Sequence, residues 1–359
     1  MTTTPTQRKQ SKMELTSSLG ADFWNDSCAL GELGEAVANG AVGATSNPVI
    51  VTAAVNGESE RWTPVLDRLI IDHPKADEDE LAWKLIETIG VEAAALLRPV
   101  YDATGGAKGF LSMQVNPKLY RDAGRMVEHG KKLALLAPNI AIKLPATKAG
   151  LAAMEEVTAA GINVNATVSF SVSQALAAAQ ACERGFKRAQ NCGVDTSKLH
   201  PYTTIMIGRV DDHLKRVAES DSIAIDAGHL DWAGIAVFKR AHGIFLQRGY
   251  KSTLLAAAYR HQGHWSELIG ERVVLTIPYK WWKKFEASDV EPAERLSRPV
   301  DPVIVAALSK AFPDFRRAYE PEGMATEEFA SFGPSVNTLR QFLSGYQQLL
   351  ELIRDRMLV

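Results

Sequence analysis

The sequence predicts an α/β barrel of eight parallel strands. Three observations predict it: eight short β-rich runs, amphipathic helical patterns between most of them, and polar residues recurring near the C-terminal ends of the runs. Strands alternating with helices argue for parallel β/α architecture. Eight such units suit closure as a TIM (β/α)8 barrel, here with helical elaborations. A length of 359 residues would allow two average domains, but α/β barrels often run this long as one.

In chain order, residues 1–17 (MTTTPTQRKQSKMELTS) are polar and lack the apolar core of a secretory signal. They read as a flexible arm before a single domain over 18–359. The strand candidates are 22–26 (DFWND), 41–46 (AVGATS), 109–115 (GFLSMQV), 139–144 (NIAIKL), 162–168 (INVNATV), 201–207 (PYTTIMI), 253–259 (TLLAAAY) and 273–277 (VVLTI). Helical patterns lie between them: 151–160 carries Leu151, Met154 and Val157 on one face, and 230–247 carries Trp232, Ile235, Phe238 and Phe245. Two connections exceed what a plain barrel needs. Residues 48–108 hold several helices, including 80–98, and the tail after Pro278 ends in a helix over 336–358.

Composition narrows the function classes. Forty basic and 42 acidic side chains leave a net charge of −2, so no electrostatic footprint for nucleic acid or an anionic membrane is visible. The longest apolar stretch, 133–144, is interrupted by Pro138, Asn139 and Lys143 and is too short to span a bilayer. Three cysteines (Cys28, Cys182, Cys192) form neither a disulfide framework nor a metal-ligand pattern. A reducing cytoplasm is expected.

Alternation within the strands points to chemistry. In 139–144, Ile140, Ile142 and Leu144 share one face, leaving Ala141 and Lys143 to point into the barrel. Asn163, Asn165 and Thr167 share a face, as do Ser112 and Gln114. Asn47 follows Thr45, and Arg260 follows Ala256 and Ala258, by the same two-residue step. Barrel interiors are usually filled with branched apolar side chains; here several strands turn polar groups inward near the end where barrel active sites lie. A lysine there has a use. Its free pKa of about 10.4 falls on desolvation, which makes the neutral amine available. That amine can form a Schiff base with a carbonyl substrate, with no metal or cofactor. Lys143 fits this role, with Asp26 as the acid/base candidate.

The segments ATSNP (44–48), AIKLPAT (141–147), GINVNATVSFSVSQA (161–175), IGRV (207–210) and AAYRH (257–261) resemble, in order, those of the transaldolase family of class I aldolases. The resemblance covers roughly residues 20–280. It implies that Lys143 is the Schiff-base lysine and Asp26 the first-strand catalytic aspartate. Asn47 would hold the hydroxyls of a dihydroxyacetone fragment, Thr167 would position a catalytic water, and Arg209 and Arg260 would bind a substrate phosphate. Asn165 and Thr204 fall at small polar positions of the site. The implied activity is transfer of a three-carbon unit between sugar phosphates in carbohydrate metabolism of the pentose phosphate type. The implied partners are small sugar phosphates, without nucleic acid or membrane, in a chain that could form a homo-oligomer.

Three positions depart from the family. Gln114 stands where transaldolases proper carry a water-activating glutamate; the fructose-6-phosphate aldolase branch also has glutamine there but adds a tyrosine on the sixth strand, where this chain has Met206. Ala258 replaces a serine that helps hold phosphate. These departures leave two alternatives to transfer: a lyase of the fructose-6-phosphate aldolase type or a transaldolase acting on a modified sugar, and a barrel that binds a sugar phosphate without turnover.

The remaining features read as structural. His261 and His264 have no carboxylate or cysteine pattern nearby to complete a metal site. Cys28 lacks a histidine partner and reads as a buried thiol. Trp281 and Trp282 suit packing, a cover over the barrel mouth or an oligomer contact. Gly105-Gly106 lacks the spacing of a phosphate loop.

Overall fold

A computed structural model describes residues 10–358. Eight parallel strands close a barrel in sequence order: β1 (Ala21–Asn25), β2 (Gly43–Thr45), β3 (Phe110–Gln114), β4 (Ile140–Pro145), β5 (Val164–Thr167), β6 (Tyr202–Met206), β7 (Thr253–Ala257) and β8 (Val273–Ile277). Every expected strand is present: β3, β6 and β7 are two residues shorter, β2 and β5 three shorter, β1 and β4 shifted by one, and β8 as expected. Asp26 lies just beyond β1, where its N–H still donates to the Ile277 carbonyl at 3.0 Å.

Register decides which residues face the barrel interior, because laterally paired residues of parallel strands share a face. Gln114 pairs with Lys143, Lys143 with Asn165, and Pro145 with Thr167. Continuing round, Thr204 pairs with Leu255, Met206 with Ala257, Trp24 with Thr276, and Thr45 with Ser112. The interior is therefore layered. Trp24, Phe110 and Tyr202 fill its base, with Tyr202 edge-on to Trp24 at 4.7 Å and to Phe110 at 6.2 Å between ring centroids. Above them polar side chains predominate, with Ala141, Met206, Leu255 and Ala257 among them.

One expected phase is corrected. Leu255 and Ala257, not Ala256 and Ala258, share the inner face of β7. Ala258 then adopts a left-handed φ of 68°, which breaks the two-residue step, and Tyr259 and Arg260 both border the barrel mouth.

Local chemistry explains the surrounding helices. Several begin on a side chain that accepts a backbone N–H left open by the first turn. Asn47 caps Pro48–Gly57, Thr147 caps Lys148–Ala159, and Ser171 caps Val172–Asn191. The pattern expected over 230–247 is two helices, Ala227–Leu230 and Ala233–Arg248, broken at Asp231 and Trp232. Helices Pro48–Gly57, Ser59–Asp72 and Glu78–Ala103 fill the long connection before β3. The closing helix, Gly333–Met357, returns across the C-terminal end of the barrel. It crosses Pro48–Gly57 at Gly345, whose carbonyl accepts from Thr52 Oγ1 at 3.1 Å. A Cβ on Gly345 would lie 2.5 Å from Val49 Cγ2, so the crossing needs glycine.

The arm expected over 1–17 is corrected in its second half. Lys12–Ser18 is a helix with a capping box formed by Ser11 and Glu14. Glu286 accepts the N–H groups of Lys12 and Met13 at 2.9 and 2.8 Å, and Thr16 Oγ1 accepts Trp265 Nε1 at 3.0 Å. Burial of Met13 and Thr16 fixes this segment to the body, a tertiary contact that local polarity conceals. Residues 1–9 lie outside the described residues. Among the described residues, no helix is long and apolar enough to cross a membrane.

Candidate active site

The barrel mouth opens into a cavity of about 610 Å³. Of the residues singled out in the sequence, Asp26, Asn47, Lys143, Thr167, Thr204, Arg209 and Arg260 border it. Asn165 lies beneath as a buried strut: its Nδ2 donates to Ser112 Oγ at 2.9 Å, and its Oδ1 accepts from Thr204 Oγ1 at 2.8 Å. Gln114 is buried beside Lys143 in the register, and its Oε1 has no hydrogen-bond partner.

Lys143 is 5% exposed, and its ammonium group donates to the Ser46 carbonyl at 3.3 Å. Burial pushes its pKa below the usual lysine value; the nearby Asp26 carboxylate opposes the shift, and Arg209 adds to it. Asp26 is the counterpart. Burial raises its pKa, while Lys143, a hydrogen bond from Thr45 and the Arg209 charge pull the other way. Thr45 Oγ1 donates to Asp26 Oδ1 at 2.5 Å and lies 2.7 Å from Thr276 Oγ1. The two groups thus move toward each other in proton affinity, so that one can be a neutral amine and the other an acid/base.

At the cationic end of the cavity, Arg209 stands in the first turn of helix Ile207–Ser220, which follows directly on β6. Burial, followed by the neighbouring Arg260 charge, brings its guanidinium down to about 10, so it stays charged near neutral pH. It donates from Nη1 to Gln341 of the closing helix, and its buried Nε has no partner. Arg260 is already paired: Asp212 accepts from its Nε at 3.0 Å and its Nη2 at 2.7 Å. Asn47 Oδ1 is spent on capping, accepting the Ile50 N–H at 3.0 Å.

The histidines are also placed differently. Asp211, buried in helix Ile207–Ser220, meets His261 and His264, and one ligand atom from each lies within 4.8 Å of the others. The carboxylate that sequence proximity did not supply therefore comes from fifty residues upstream. His264 Nδ1 accepts the Arg260 N–H at 3.1 Å, which leaves the ring proton on Nε2, 2.7 Å from Asp211 Oδ2. Asp211 Oδ1 accepts the Gly234 N–H at 2.8 Å. The chemistry is that of a hydrogen-bonded brace for the Arg260 backbone. Cys28 is buried, its thiol pushed up to about 12 by burial. Trp282 is buried on Asn25 and Phe23, whereas Trp281 borders the cavity.

Sequence reasoning missed Thr276, Tyr259 and the closing-helix residues Gln341, Ser344 and Gln348, all of which border the cavity. Thr276 had a signal, being the sole polar residue of its strand. The closing-helix residues had none, because nothing local tells where a C-terminal helix docks. A larger groove, about 1180 Å³, runs outside the barrel past Trp83, Lys118 and His129. Two of its lysines are taken up in ion pairs, Lys118 with Asp79 and Lys132 with Glu87, and its lining holds no arrangement like that of Lys143 and Asp26.

The chain is similar to transaldolase 1 of Streptomyces avermitilis, 38% identical over 58% of this chain and 57% of that protein. The transaldolase of Thermobifida fusca is 34% identical over 60% and 61% respectively. The matched stretch thus spans little more than half the length of these relatives. The transaldolase of Neisseria meningitidis serogroup A is 31% identical, over 75% of this chain and 81% of its own. Residues 23–348 match the family described as Transaldolase/Fructose-6-phosphate aldolase, and with its closed eight-stranded barrel the chain belongs to that family.

Proposed function

We propose that this chain performs class I aldol chemistry through a Schiff base on Lys143, transferring a three-carbon dihydroxyacetone unit between sugar phosphates. The observation that carries the reading is a buried lysine whose ammonium form is disfavoured, in one cavity with an aspartate whose carboxylate form is disfavoured. Lys143 Nζ attacks the ketose carbonyl, and loss of water gives the iminium. Asp26 takes the proton of the hydroxyl on the carbon beyond the breaking bond. The C–C bonding pair then moves into the enamine, and an aldehyde leaves. Attack of the enamine on a second aldehyde completes transfer; its protonation and hydrolysis would complete cleavage instead. Thr167 positions the water that enters and leaves. The Asn47 amide N–H groups, left over from capping, and Thr204, braced by Asn165, hold substrate hydroxyls. Arg209 binds the anionic end. Gln114 can orient a water through its unpaired Oε1 but cannot exchange a proton near neutral pH. Three cysteines outside any disulfide suit a reducing cytoplasm.

The lyase reading keeps a specific support: the residue paired with Lys143 in the register is Gln114, which the fructose-6-phosphate aldolase branch also has there, and not a glutamate that could activate a water. The test is incubation with fructose 6-phosphate, borohydride reduction and intact-mass measurement. A mass increase that disappears in Lys143→Met supports the mechanism; an increase that persists, or normal turnover in that variant, overturns it.

A further inference from the structure

Tyr259 is 1% exposed, borders the cavity, and carries a hydroxyl with no hydrogen-bond partner. A buried phenol left unpaired costs about 1–3 kcal/mol, and such groups are rare enough in folded proteins to require a reason. The ring itself is well held, edge-on to His264 at 6.2 Å and 6.1 Å from Phe285. Phenylalanine would satisfy that packing; the hydroxyl is the unexplained part. Its position is set by the left-handed turn at Ala258, in a conformation costly for a residue with a Cβ.

Topology gives the direction. Tyr259 follows β7 and Asp26 follows β1, on the two sides of β8, while Lys143 projects from β4 across the barrel. Burial and the nearby Asp26 carboxylate keep the phenol protonated, so it can donate a hydrogen bond but not serve as a base at neutral pH. Resting on the aldol reading above, we infer that the Tyr259 hydroxyl donates to the substrate oxygen whose proton Asp26 removes. In cleavage the Asp26 carboxylate takes the hydroxyl proton, and the oxygen's electron pair forms the C=O of the leaving aldehyde. The C–C pair passes to the iminium, neutralising its nitrogen. Tyr259 keeps its own proton throughout and stabilises the negative charge that builds on the oxygen. In the reverse direction it polarises the acceptor aldehyde, which makes it a determinant of acceptor choice as well as rate.

Removal of one preorganised donor to a developing oxyanion typically lowers kcat about 10²–10³-fold. Tyr259→Phe in the full chain should therefore lower kcat for fructose 6-phosphate about 10²-fold. Borohydride trapping on Lys143, which reports the step before cleavage, should remain at its unaltered level. Thermal stability should be retained or raised, because an unpaired buried hydroxyl is gone. An unchanged kcat overturns the inference, and so does a loss of trapping equal to the loss of turnover, which would assign Tyr259 to the fold or to imine formation. Absence of any trapped adduct in the unaltered protein overturns the aldol reading and this inference with it. Normal trapping with an unaffected Tyr259→Phe rate overturns the inference alone.

Discussion

Replacement of Asp26 by asparagine separates two effects that the proposed mechanism assigns to one carboxylate. Asparagine has nearly the same shape, and its Oδ1 can still accept from Thr45 Oγ1, now 2.5 Å from the aspartate; the Thr45–Thr276 contact at 2.7 Å is also undisturbed. The fold should survive. The first loss is the proton acceptor for C–C cleavage, typically worth ~10²–10⁴-fold in rate, or about 3–5 kcal/mol at 1.36 kcal/mol per decade. The second is the negative charge that holds the Lys143 pKa up against burial. Without it, burial and the Arg209 charge act on Lys143 unopposed by this carboxylate, and its pKa drops further below the lysine value. The deprotonated fraction at a given pH then rises, so the acid limb of the trapping rate against pH must move to lower pH. Turnover and trapping therefore respond in opposite senses: cleavage of fructose 6-phosphate slows steeply while borohydride trapping extends to more acidic solutions. Both are read on one preparation by coupled aldehyde assay and intact mass. A variant with near-normal cleavage places the acid/base elsewhere. A trapping limb that moves toward higher pH refutes the electrostatic coupling.

Two further substitutions test the anion end and the barrel base. Asp212→Asn frees Arg260 from the carboxylate that accepts from its Nε and Nη2; KM for phosphorylated substrates should fall by up to about tenfold, the scale of one charge-assisted contact, with no change for dihydroxyacetone, and equal effects on both would mean that Arg260 does not meet the anion. Gly43→Ala would set a Cβ 2.3 Å from Trp24 Cε2 in the aromatic base of the barrel; overpacking of this kind costs about 1–3 kcal/mol, visible as a lower denaturation midpoint, and an unaltered midpoint would show that the Trp24 layer can shift at little cost.

The sequence displays some parts of this molecule and conceals others, for identifiable reasons. Strands are legible because both faces leave a mark. Ile140, Ile142 and Leu144 pack against helices, and the intervening Ala141 and Lys143 could only belong inside. The same alternation, together with the family resemblance, brought Lys143, Asn165 and Thr167 forward as inward-facing residues, and the register pairs Lys143 with Asn165 and Pro145 with Thr167. It failed at β7, where alanines on consecutive positions carry no phase and the left-handed Ala258 resets it. That failure hid Tyr259. Tertiary pairing was concealed in the same way: Asp212 on Arg260 and Asp211 on His264 join residues about fifty positions apart, and nothing in either segment names the other.

These hidden pairings concentrate at one end of the cavity. Arg209, Asp211 and Asp212 come from a single helix start, Arg260 and His261 from the loop after β7, and His264 from the short helix Gly263–Ser266 that follows. Arg209 is tied to Gln341 of the closing helix. The lysine end is built from strands, whose register fixes Lys143 against Gln114 and Asn165. The anion end is built from a helix turn, a loop and a distant C-terminal helix, held together by side-chain pairs. The covalent chemistry proposed at Lys143 requires a fixed reacting geometry, which a strand provides. In the proposed reaction, choice of donor and acceptor falls to the helix, loop and closing-helix contacts. A single exchange such as Asp212→Asn can alter the charge offered to a substrate there without moving the strand that carries the lysine. Of the three departures from the family, Ala258 lies in the loop at the anion end, whereas Gln114 and Met206 lie in β3 and β6 and alter the surroundings of Lys143 and Asp26, the proposed reacting pair, without removing either.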